Sequence, residues 1–231
     1  MEFPSDYDEP TRQLYRFVKP YTRTSKDRVF MLARAVEYVV KHRIPGDIVE
    51  CGVWRGGSMM VVAKTLVNLG VQDRKLILFD TFEGMSAPTD VDKDRWGVAA
   101  ETALKGEQDK TRIDSIWAYS QLDEVKSNMQ LTGYKIENMT FIKGKVEDTL
   151  PAQAPAQISI LRLDTDWYES TYHELKHLYS RLSIGGVLII DDYGDWEGAR
   201  RAVDQFLLEY NPKVLLNRID DTGRLCIKLE S

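Results

Sequence analysis

Residues 46 to 58, GDIVECGVWRGGS, carry the most informative transition in the chain: a short apolar run, Asp47 to Cys51, breaks into glycines and then into a helical pattern. Pro45 and Gly46 stop the helix before it. Bounded in this way, Asp47 to Cys51 is a strand, and SMMVVAKTLVNLG after Gly57 has helical period up to Gly70. Upstream, residues 26 to 43 place apolar side chains at helical spacing, with Thr24 and Ser25 available to accept the first free backbone N–H groups.

The same alternation continues downstream. LILF at 76 to 79 forms a second strand closed by Asp80, MTFIKG at 139 to 144 a third, and QISILRLD a fourth ending at Asp164. LSIGGVLIIDD supplies a fifth that ends at Asp191 and Asp192. Helices are predicted over about 114 to 131, 169 to 181 and 196 to 210, and the last precedes two short strands, KVLLN and RLCIKL, joined by a turn at Asp221 to Gly223. Near-continuous apolar strands alternating with helices predict an α/β fold with a doubly wound, mostly parallel sheet covered on both faces. The final pair is joined too tightly for a crossover and must be antiparallel. This Rossmann-like, seven-stranded arrangement resembles the class I methyltransferase sheet, and a generic α/β fold with an antiparallel edge would look the same.

Composition sets further bounds. The 231 residues suit one domain, with residues 1 to 45 as a helical N-terminal arm and polar residues 82 to 113 as a mobile lid with some helix. A net charge of -5 with scattered Lys and Arg argues against nucleic acid, and no apolar run is long enough for a bilayer. The acidic start MEFPSDYDEP makes a cytoplasmic location the default expectation. Cys51 and Cys226 form neither a disulfide framework nor a zinc site and are expected to be buried packing residues.

Ligands of open parallel sheets lie at the carboxyl ends of the strands, where this chain is unusually polar. Gly52, Gly56 and Gly57 let the backbone turn tightly and approach a ligand, yet the loop is not a dinucleotide fingerprint, because Glu50 stands where a glycine is needed. A carboxylate beside the loop suits a cationic ligand such as an ammonium; a plain strand-to-helix turn is the alternative. Asp80 is placed to accept both hydroxyls of a ribose, or is a solvated strand end. After the third strand, Val146 can meet the face of an adenine and Glu147 or Asp148 its amino group, although acids also favour helix N-termini through the dipole.

Asp164, Asp166, Asp191 and Asp192 follow two strands expected to be neighbours. Unpaired, so many close negative charges repel one another, so a cation is expected among them, and hard oxygen ligands without Cys or His favour Mg²⁺. Nearby Lys and Arg look too few for a full salt-bridge alternative; helix capping by the aspartates is the other reading. Asp166, two residues beyond the strand end, can face a substrate. His173 and His177 are spaced i, i+4 without an evident third ligand, and Trp54, Trp167 and Trp196 either wall a pocket or pack.

GDIVECGVWRGGS at 46 to 58, LFDTFEGM at 78 to 85, and LRLDTDWYEST through IIDDYGDWEGARRAVDQF at 161 to 206 resemble the macrocin O-methyltransferase (TylF-type) family over about Thr24 to Phe206. The resemblance implies an S-adenosylmethionine- and Mg²⁺-dependent O-methyltransferase acting on a sugar hydroxyl of a secondary metabolite, a small-molecule glycoside, with a homo-oligomer, dimer first, as the expected assembly. It places the metal on Asp164, Asp191 and Asp192 and the general base on Asp166. It places the cofactor on the loop from Glu50 to Ser58 and on Asp80, so the expected cofactor residues are Glu50, Gly52, Val53, Trp54, Ser58 and Asp80, with Thr81, Val146, Glu147 and Asp164 beside them. The arm and lid match the family pattern least and are expected to form the acceptor pocket. A catechol-type methyltransferase with a phenolic acceptor is the nearest alternative, and a metal-dependent hydrolase or hydroxylase on a similar sheet a more distant one.

Overall fold

A computed structural model of the chain describes residues 3–230. Helix α1, Glu9–Val18, starts at Asp8, whose side chain accepts the Thr11 N–H at 2.9 Å, and buries Leu14, Tyr15 and Val18. Helix α2, Lys26–Lys41, starts at Ser25, whose hydroxyl accepts the Arg28 N–H. Strand β1, Asp47–Cys51, leads into α3, Gly57–Asn68, and then into β2, Leu76–Asp80. Helices α4, Ala100–Gly106, and α5, Leu122–Gln130, precede β3, Met139–Lys143, and the short α6, Val146–Thr149. There follow β4, Ile158–Leu163, α7, Tyr168–Leu178, β5, Leu182–Ile190, α8, Glu197–Tyr210, β6, Asn217–Arg218, and β7, Arg224–Ile227.

Among the described residues these strands form one seven-stranded sheet in the order β3-β2-β1-β4-β5-β7-β6, parallel except for the β5–β7 and β7–β6 pairs. The chain winds outward from β1 to β3 and then returns to place β4 on the other side of β1, so the order reverses between β1 and β4. A crevice opens at such a reversal. The register aligns its rim: Cys51 pairs with Phe79 and Leu163, and Leu163 with Ile190. Gly52, Asp80, Asp164 and Asp191 therefore lie along one edge.

The expected arm is one layer of the domain. Val18, Val29, Leu32 and Val36 pack with Met59 and Val62 of α3 against Ile160 and Ile189 of the sheet. The expected helix over 114 to 131 is confined to Leu122–Gln130. Before it, the chain turns at Ser115 to Ala118, and the Trp117 carbonyl accepts the Met85 N–H at 2.9 Å instead of a helical partner. KVLLN pairs only at its last residue, Asn217, because the Val214 N–H is taken by the Pro212 carbonyl and Leu215 points to solvent.

The segment expected as a mobile lid is fastened to the body. Ser86 accepts the Trp167 indole N–H, Lys93 accepts the Glu197 N–H, and Asp94 forms a bridge with Trp196. Ala100, Leu104 and Trp167 form a small apolar cluster beneath it. Cys51 and Cys226 are buried and free, and no helix among the described residues is long and apolar enough to cross a membrane.

Candidate active site

A cavity of about 350 Å³ opens on the sheet rim, within the size range of small-molecule sites. Gly52, Val53, Trp54, Ser58, Asp80, Thr81, Val146, Glu147, Asp164, Asp166, Asp191 and Asp192 all line it, so the topology brings together nearly every residue singled out above. Residues 21 to 24 of the α1–α2 connection close one side, and Met85, Ser86, Ile116 and Ala118 another.

The glycine loop is held against the rim by its neighbours. Gly52 has φ +80, and a Cβ there would lie 1.9 Å from the Asp164 carbonyl oxygen, so only glycine lets the two strand ends meet. Asp80 accepts the N–H groups of Val53 at 2.6 Å, Trp54 at 3.1 Å and Phe82 at 2.6 Å. Burial pushes its carboxyl up and these bonds pull it down. Asp80 thus lines the cavity, as expected of a ribose acceptor, but also anchors two residues, Trp54 and Phe82, held at positive φ. Of the two acids after β3, the structure brings only Glu147 to the cavity, where it accepts the Ser170 hydroxyl at 2.7 Å; Asp148 faces solvent.

Glu50 does not face the cavity, contrary to the direct ligand contact expected of it. It is buried beneath the loop, and its Oε1 accepts Arg162 Nη1 at 2.7 Å. The cause is the two-residue period of strands: Glu50 and Arg162 are register partners on adjacent strands, and Asp164 stands two residues beyond Arg162 on the same face. Arg162 Nη1 also donates to Asp164 at 2.6 Å, while Nη2 donates to Asp191 Oδ1 at 2.5 Å and to Thr24 at 3.2 Å. Asp191 Oδ2 receives Arg28 Nη1 from α2, and Arg28 Nε reaches Asp220 in the β6–β7 turn at 3.0 Å. The expectation that local cations are too few is therefore corrected for Asp164 and Asp191. Arginines reach them from a central strand and from the arm, which proximity in sequence does not reveal.

The correction does not extend to Asp192 and Asp166, which have no ion pair among the described residues. Burial, and then Asp166, push the Asp192 carboxyl well up; burial, and then Asp164, push that of Asp166 up to about 8. Asp164, Asp191 and Asp192 each present an oxygen within 4.8 Å of the others. This all-oxygen donor set, with the Asp192 carboxyl left without a cationic partner among the described residues, fits a hard divalent cation. His173 and His177 pack against each other with tilted rings, 4.4 Å between centroids, and His173 meets the Leu150 carbonyl, away from this set. Of the tryptophans, Trp54 and Trp196 line the cavity and Trp167 is buried behind it.

Residues 7–227 match the family described as Macrocin-O-methyltransferase (TylF). The chain belongs to this family. A macrocin O-methyltransferase relative from Streptomyces niveus, demethyldecarbamoylnovobiocin O-methyltransferase, is 33% identical over 88% of this chain and 74% of its own length. The 8-demethyl-8-(2,3-dimethoxy-alpha-L-rhamnosyl)-tetracenomycin-C 4'-O-methyltransferase of Streptomyces olivaceus is 34% identical over the same shares. The solved structure of the O-methyltransferase NovP superposes with a TM-score of 0.76 at 31% identity, covering 91% of this chain and 83% of that one. The protein is accordingly an S-adenosylmethionine-dependent O-methyltransferase.

One buried acid of this methyltransferase escaped sequence reasoning. Glu174 of α7 is fully buried, with Oε2 accepting the Thr165 hydroxyl at 3.2 Å and Oε1 without a partner among the described residues. Burial pushes its carboxyl well above pH 4.5. The folded state keeps this proton where the unfolded chain releases it, so Glu174 makes stability fall as pH rises above about 4.5. Glu174→Gln is expected to be relatively more stable at pH 8 than at pH 5 when compared with the parent by urea denaturation. An equal difference at both pH values would show that the carboxyl is ionised in the fold.

Proposed function

We propose that this enzyme methylates a hydroxyl of a sugar on a glycosylated natural product, with Mg²⁺ held by Asp164, Asp191 and Asp192 and with Asp166 as general base. The observation that carries the reading is the placing of an unpaired carboxylate, Asp166, beside three carboxylates in cation-binding proximity, at the rim of one cavity lined by the glycine loop. The relative from Streptomyces olivaceus, whose name specifies a rhamnosyl-bearing acceptor and its 4' position, supports the sugar.

A divalent cation at this set supplies Lewis acidity, lowering the pKa of a hydroxyl and fixing its direction. S-adenosylmethionine supplies an activated methyl group. The chain's own residues do the rest. Asp166 removes the hydroxyl proton. Arg162 and Arg28 hold both oxygens of Asp191, which orients it in the way outer-shell partners orient ligating carboxylates. The arm residues Tyr21 to Thr24 and the docked segment at Met85 and Ser86 narrow the access of water to the reacting groups.

Methyl transfer from labelled S-adenosylmethionine to a panel of glycosides and catechols, before and after chelation, tests this. Transfer to glycosides is expected to fall at least about 100-fold on complete chelation and to return with Mg²⁺. Transfer only to catechols would replace the sugar by a phenol, and full activity after metal removal would sink the metal assignment.

A further inference from the structure

Asp166 has φ +64, and the Trp167 N–H turns back to the Thr165 carbonyl at 2.7 Å, the i to i+2 bond of a γ-turn centred on Asp166. A γ-turn with positive φ at its centre is strained, and such conformations persist only where the surroundings over-determine them. Two restraints come from the body of the domain. Asp192 accepts the Asp166 N–H at 3.3 Å, and Glu174 accepts the Thr165 hydroxyl. The other two come from the segment docked over α7 and α8: Ser86 accepts the Trp167 indole N–H at 3.0 Å, and Asp92 Oδ1 accepts the Tyr168 N–H at 2.8 Å.

We propose that Asp92 is a positioning residue for methyl transfer, locking the strained turn that carries Asp166 and making the lid part of the catalytic frame rather than a cover. Asp92 is fully buried. Its Oδ2 accepts both the N–H of Thr89, at 2.7 Å, and its hydroxyl, at 2.8 Å, while its carbonyl accepts the Ala100 N–H at 2.9 Å. Oδ1 is thereby aimed out of the lid, at the start of α7, a helix whose own N-cap residue, Trp167, has no side chain that accepts from the first-turn N–H groups. On the other side stands Gly198 of α8, where a Cβ would lie 1.9 Å from Asp92 Oδ1. The carboxylate is wedged between the starts of the two helices that follow the carboxylate-bearing strands. A base displaced by a fraction of an ångström loses alignment with the hydroxyl it serves.

This inference rests on Asp166 being the base, so Asp166→Asn belongs in the same experiment. Asp92→Ala, Asp92→Asn and Gly198→Ala are compared with the parent for kcat, acceptor KM and S-adenosylmethionine affinity by calorimetry. Asp92→Ala is expected to lower kcat about 10- to 100-fold with cofactor affinity unchanged. Gly198→Ala lowers kcat in the same way from the opposite side of the contact, with Asp92 intact. Asp92→Asn, whose single amide oxygen can still accept the Tyr168 N–H but leaves the Thr89 N–H without an acceptor, recovers part of kcat. Full kcat in Asp92→Ala beside an inactive Asp166→Asn overturns the role of Asp92 alone, as does a parallel loss of cofactor binding, the mark of general unfolding. An active Asp166→Asn removes the base assignment and this inference with it.

Discussion

Asp166→Asn is expected to lower kcat by about 10²- to 10⁴-fold while S-adenosylmethionine affinity stays unchanged. Asparagine keeps the size of the side chain and the backbone N–H that Asp192 accepts, so the strained turn persists. What it loses is the capacity to take a proton. The parent carboxylate stands beside the cation-binding set, held there by the Asp166 N–H bond to Asp192. Single-turnover rates separate the chemical step from binding and product release, and calorimetry reports the cofactor independently. Turnover within a few-fold of the parent, with cofactor binding intact, would assign proton removal elsewhere.

The largest effect on stability is expected at Arg162. Its guanidinium is buried in a central strand and is shared among Glu50, Asp164 and Asp191. Replacing the whole buried assembly by apolar groups can be nearly neutral, but removing one partner strands charge, at a cost of about 3–5 kcal/mol. Arg162→Met leaves Glu50 with no cationic partner among the described residues, and Asp191 with Arg28 alone. Urea denaturation in the presence of chelator measures the loss without compensation by a bound cation. Adding Glu50→Gln to Arg162→Met is expected to restore part of the stability, since it withdraws the most deeply buried of the stranded charges. A loss below about 1 kcal/mol in the single variant would mean that the carboxylates are held neutral without Arg162.

Arg162 also marks the boundary of what was legible before the structure. The run LRLD shows an arginine at an alternate position of an apolar strand, and VEC shows a glutamate in the same setting. Each polar residue was visible, but not that Glu50 and Arg162 are register partners, because pairing depends on which strands become neighbours. From the sequence alone Glu50 reads as a ligand contact. Asp92 and Glu174 were hidden for the same reason: their partners, Tyr168 and Thr165, are met only when the lid and α7 dock.

By itself the sequence determined the strand and helix alternation, the antiparallel end of the sheet, the glycine loop and the acids that close the strands. Those features are local: hydrophobic period, turn residues and strand ends are set by neighbouring positions along the chain. The family resemblance added the chemistry. Tertiary packing alone sets that Asp164, Asp191 and Asp192 lie within reach of one cation, that two arginines pair with Asp164 and Asp191, and that the lid clamps the turn of Asp166. Those depend on register and docking between distant segments, where a shift of one residue in a strand would turn every side chain to the opposite face.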